Sequence, residues 1–129
     1  MYIQGNRVVV EKSQKETFEF LTDLKNFEQL MPESIQKFEV DGDSFILGLK
    51  GMPEIRLVLK EKTEYSKVVL GAASSKLDFQ LIANIDEIDE DSSEVQLDFN
   101  GQFNMMMQMM VKKPLTSFIE TLTDNLETV

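Results

Sequence analysis

From about Gln36 to Phe103 apolar side chains recur at every second position, and from Asn104 to Val129 they recur at helical spacing. Period two places every inward residue on one side of a pleated strand, so a long run of it demands a sheet with one dry face. Phe38 and Val40, then Phe45, Leu47 and Leu49, then Ile55, Leu57 and Leu59 alternate with Lys37, Glu39, Lys50, Arg56 and Lys60. The pattern is clearest in Leu77, Phe79, Leu81, Ala83 and Ile85, and in Val95, Leu97, Phe99, Gly101 and Phe103. Turn signals at Asp41-Gly42-Asp43, Gly51-Met52-Pro53, Glu64-Tyr65-Ser66 and Asp89-Glu90-Asp91-Ser92 separate the strands into antiparallel hairpins.

A dry face must be covered. The tail supplies the cover, because Leu115, Phe118, Ile119, Leu122 and Leu126 form one helical stripe. At 1.5 Å per residue, positions 114 to 128 make a rod of roughly 22 Å, enough to cross the sheet.

The N-terminal part reads as a strand over Tyr2 to Lys12, centred on the β-branched Val8, Val9 and Val10. Ser13 with Glu16 three residues later fits a capping box and predicts a helix carrying Phe18, Leu21 and Leu24. Asn26 is expected to cap a second short helix with Phe27, Leu30 and Met31, ended by Pro32. The fold class is therefore α+β: about seven antiparallel strands in a curved sheet, two short helices after the first strand, and a long C-terminal helix. One domain over 1–129 is expected.

Charge and composition narrow the function. With 23 acids against 13 bases the net charge is -10, which repels nucleic acid. The chain has no Cys and no His, which removes disulfides, thiol nucleophiles, His-based triads and zinc sites built on nitrogen or sulfur. No cofactor is implied. The start of the chain lacks the apolar core of a signal peptide and the run Val68 to Ala73 is too short to span a bilayer, so a cytoplasmic protein without membrane insertion is expected.

Taken together, Val8-Val9-Val10 before Ser13, Thr17-Phe18-Glu19-Phe20-Leu21, Asn26-Phe27 with Leu30-Met31-Pro32, and Lys113-Pro114-Leu115 with Phe118 carry a resemblance. In its order of elements the chain resembles the START-like helix-grip superfamily, also called SRPBCC, over essentially its whole length. That superfamily includes lipid carriers, pollen allergens, polyketide cyclases, an accessory protein of carbon monoxide dehydrogenase, and co-chaperone activators. The resemblance implies a hollow between sheet and long helix that takes a hydrophobic small molecule, with any reaction varying from member to member.

The expected cavity lining is Leu57, Phe79, Leu81, Phe99, Phe103, Met106, Met107, Met110 and Phe118. Five methionines in six residues, Met105 to Met110, are the most unusual stretch, and two readings of them stay open. An unbroken helix continues the buried stripe through Met107 and Val111 and turns Met106, Met109 and Met110 outward, as a patch for a partner or a homodimer. A kink or break at Pro114, near Lys112-Lys113, re-aims them inward as an adaptable cavity wall.

Gly101 marks either a bend or space for a ligand. Catalysis needs inward polar groups, and alternation offers only Glu61, whose reading as a core end or a bulge is preferred over a cyclase or dehydratase acid. Asn104 is read as a helix cap. The acids Asp86, Glu87, Asp89, Glu90, Asp91 and Glu94 lack the glycine and glutamate spacing of an EF-hand and read as a solvated turn. Arg56, Lys60 and Lys62 read as a solubilising stripe on the wet face of one strand.

Overall fold

The computed structural model describes residues 1–74 and 78–129, so Leu77 lies outside the described residues. The valine-rich N-terminus forms β1 (Tyr2–Val10), with Val8 and Val10 buried and Val9 exposed. The capping box at Ser13 is present: its Oγ accepts from the Glu16 amide at 3.1 Å, and the Ser13 amide donates to Glu16 Oε1 at 3.3 Å. It starts α1 (Gln14–Thr22), which buries Phe18 and Leu21.

A 3-10 helix over Leu24–Leu30 follows, and its cap differs from the expected Asn26. Asp23 takes that role, its carboxylate accepting from the Lys25 amide, because it sits one step before the first orphan donors. Asn26 instead donates from Nδ2 to the Phe20 carbonyl at 3.0 Å and ties the two helices together. Met31 is extended before Pro32, as a residue preceding proline prefers.

Six more strands follow: β2 (Lys37–Asp41), β3 (Ser44–Gly48), β4 (Ile55–Thr63), β5 (Lys67–Ala72), β6 (Asp78–Asp89) and β7 (Ser92–Gln102). Among the described residues they form, with β1, a seven-stranded antiparallel sheet in the order β1-β7-β6-β5-β4-β3-β2. Each hairpin joins sheet neighbours, and only β1 reaches its partner β7 from far along the chain. The register pairs Leu81 with Phe99 and Ile85 with Val95, which stacks the inward residues of β6 and β7 opposite one another.

Glu61 does not face the core. The register of β4 on β5 slips between Leu59 and Glu61, and this bulge turns the carboxylate out to solvent.

The C-terminal helix α2 (Met105–Leu126) is capped by Asn104, whose Oδ1 accepts from the Met107 amide at 2.8 Å. It lays Val111, Leu115, Phe118, Ile119, Leu122 and Leu126 on the sheet, with each of them buried. Burying such side chains stabilises by about 1.5–3 kcal/mol each, which makes this stripe the main attachment of helix to sheet. The helix comes close to the sheet at Gly5 of β1, where an added Cβ would stand 3.1 Å from Ile119 of α2 and 2.6 Å from the Leu97 carbonyl oxygen of β7.

Pro114 lies inside α2 and the helix continues through it. Proline removes the donor that would meet the Met110 carbonyl. Met110 is more than half exposed, so water can hydrate that carbonyl and no break is forced.

The hollow between sheet and C-terminal helix

Where β6 and β7 pass beneath the first turns of α2, three aromatic rings stack in series. Phe79 and Phe99 lie 5.7 Å apart between centroids and Phe99 and Phe103 lie 6.2 Å apart, with their planes near parallel. Gly101 allows this. A Cβ there would stand 2.6 Å from Phe103 Cε2 and 3.1 Å from Phe99 Cε1, so the space left by the glycine is filled by the chain's own rings.

Around this stack closes a hollow whose sheet wall is Phe79, Phe99 and Phe103 and whose helix wall is Met107, Val111 and Leu115. The third side is the β3–β4 connection with the start of β4, which contributes Met52, Pro53 and Ile55. Gly51 enters that connection with φ of +87°, a conformation that disfavours side chains, and lies against Pro114 of the helix. Every lining residue is apolar. The cavity volume is about 20 Å³, room for a single water-sized sphere, so in this conformation the hollow is plugged by its own side chains.

Phe79, Phe99, Phe103 and Met107 of the expected lining meet here. Leu57, Leu81 and Phe118 are buried in the same core but do not border the cavity. Met106 and Met110 stand outside it on the exposed side of α2, because the helix runs unbroken past Pro114. Sequence reasoning missed Ile55, Val111 and Leu115, although strand alternation turns the first inward and the helical stripe through Met107 points to the other two. It also missed Met52 and Pro53, which read only as turn residues and carry no period.

Ionisable groups with displaced pKa values lie elsewhere. The Asp91 amide, donating to Asp89 Oδ1 at 2.8 Å, holds the Asp89 carboxyl below its ordinary value in the exposed β6–β7 turn. A hydrogen bond with Glu64, and then its charge, raises Tyr65, which packs edge-on against Phe18 at 5.5 Å. Among the described residues no helix is long and apolar enough to cross a membrane.

No protein-family model and no curated protein sequence matches the chain. Solved structures do. The KanY protein superposes with a TM-score of 0.79 at 9% identity, over 99% of this chain and 95% of that one. Norcoclaurine synthase from Thalictrum flavum, in complex with dopamine and hydroxybenzaldehyde, gives 0.73 at 12% identity over 99% and 84%. A START superfamily protein from Mycobacterium smegmatis gives 0.69 at 13% identity over 98% and 94%. At these identities the likeness is one of fold: the chain has the START-like helix-grip architecture, a curved seven-stranded antiparallel sheet with a C-terminal helix.

Proposed function

We propose that this protein is a noncatalytic binder of a small hydrophobic molecule, held between the sheet and α2. One observation carries the reading: the hollow is walled entirely by apolar side chains, and two of its plugs, Phe103 and Met107, are only partly buried. A ligand enters by displacing them. Displaced contacts are then replaced by contacts of the same kind, so the exchange costs little and affinity comes from burying the ligand's own apolar surface. Methionine suits such a wall because its unbranched thioether chain repacks readily around different shapes.

A cyclase-type enzyme with this fold needs polar groups converging on the reacting atoms. The lining offers none. Norcoclaurine synthase shares the fold at 12% identity, which leaves its chemistry with that protein.

Native mass spectrometry of freshly purified protein, followed by titration with the neutral apolar dye Nile red, tests the reading. Expected are a co-purified apolar species or saturable one-site dye binding that Phe103→Trp, by overfilling the hollow, weakens. Neither a co-purified species nor saturable uptake by the native chain would sink it.

A further inference from the structure

The outer face of α2 plays no part in the hollow. Met105, Met106, Met109 and Met110 are 78%, 76%, 79% and 52% exposed, against a chain whose other apolar side chains are mostly buried. Within this one helix the residue types are sorted. Leucine occupies the buried face at Leu115, Leu122 and Leu126, while methionine dominates the exposed face of the first two turns. If apolar area were all that face required, leucine would serve as well and hold its shape better. What methionine has and leucine lacks is a thioether sulfur.

Met105 with Met109, and Met106 with Met110, are two i, i+4 pairs side by side. Such positions are neighbours on a helix surface, with Cβ atoms about 5–6 Å apart. Each side chain has three rotatable bonds, so the sulfurs of Met106 and Met109 can converge with that of Met105 or of Met110 on one point above the face. We propose that this methionine face binds a soft monovalent cation, Cu(I), through the thioethers of Met106 and Met109 together with Met105 or Met110, which exchange as the third ligand.

Ligand softness and charge both select that ion. Thioethers favour Cu(I) over magnesium, calcium or manganese, which take oxygen. The chain has no Cys or His to compete for a soft metal. Lys112 and Lys113 follow in the next turn, and the positive end of the helix dipole lies at Asn104. Both repel a divalent ion more than a monovalent one, while the net charge of -10 favours a cation overall.

Silver(I), a redox-silent ion of the same softness and charge, is the probe. The native chain, labelled with carbon-13 at its methionine methyls, is titrated with silver nitrate in chloride-free buffer and followed by NMR. Expected is a joint shift of the Met105, Met106, Met109 and Met110 methyls that saturates at a single equivalent, with the buried Met31 unmoved. Replacing all four by Leu keeps the apolar surface and should abolish the end point without lowering Tm. If that variant aggregates, Met105→Leu with Met109→Leu takes its place and should weaken binding at least tenfold. The site is overturned by a native chain that shows no saturable shift, or by Leu variants that bind silver equally well. A native chain that takes no silver but sediments as a dimer would overturn it too, and would give the face to a second copy.

Discussion

The Phe103 ring folds back over Gly101, with its Cε2 atom 2.6 Å from where a Cβ on that glycine would stand. A residue two positions further along the chain thus fills the space the glycine leaves, and the stack Phe79-Phe99-Phe103 closes the hollow from inside. Because Phe103 is only partly buried, it is a plug that can be withdrawn.

Phe103→Ala should therefore open the hollow at limited cost to stability. A fully buried Phe→Ala change costs roughly 3–5 kcal/mol, and this partly exposed ring should cost on the order of 2 kcal/mol. Urea denaturation measures the loss. Nile red fluorescence should rise with the enlarged cavity, and unchanged dye uptake would contradict the plug.

Gly5→Ala should loosen the seat of the helix. The added methyl meets the Leu97 carbonyl oxygen, a backbone atom that cannot swing aside, with Ile119 close behind. A destabilisation of about 1–3 kcal/mol is expected, as for other overpacked sites. Hydrogen exchange at the Ile119 and Thr123 amides should quicken along with the fall in Tm.

Asn104→Ala removes the acceptor of the Met107 amide at the start of α2. Loss of such a cap costs about 1 kcal/mol. Since Met107 lies in the first turn and borders the hollow, the fraying should also increase dye uptake, whereas Asn104→Ser should retain most of the cap.

Asp89 gives the acid limb of stability a direction. Its carboxyl is held below the ordinary range, chiefly by the Asp91 amide and further by Ser92. A depressed folded-state pKa means that the contribution is present above the unfolded-state value and disappears as pH falls through the folded-state one. Asp89→Asn should therefore lower Tm at neutral pH and leave it nearly unchanged at a pH below both values. Equal losses at both pH values would show that the charge plays no part.

Much of this architecture was legible because its signals are local. The capping box at Ser13 and the cap at Asn104 each depend on a residue three positions further on, while the β4 irregularity that expels Glu61 is set by pairing with β5. The period-two run located the strands, and the helical stripe located the buried face of α2. Asn26 misled because the helix begins three residues earlier, at a start capped by Asp23, which accepts from the Lys25 amide.

The candidate site was half legible. Phe79, Phe99, Phe103 and Met107 follow from alternation and helix spacing, whereas Met52 and Pro53 reach the hollow only because the β3–β4 connection folds over it. No periodicity encodes such a crossing.

By itself the sequence determined which residues face inward along each element, since pleat and helix set side-chain direction through covalent geometry alone. Only the tertiary structure decided whether the hollow is open and where the methionines point. The first depends on whether Phe103 turns back over Gly101, a packing choice between rings brought together by strand pairing. The second depends on the helix passing Pro114 unbroken, which is tolerable because solvent can satisfy the carbonyl that proline leaves behind.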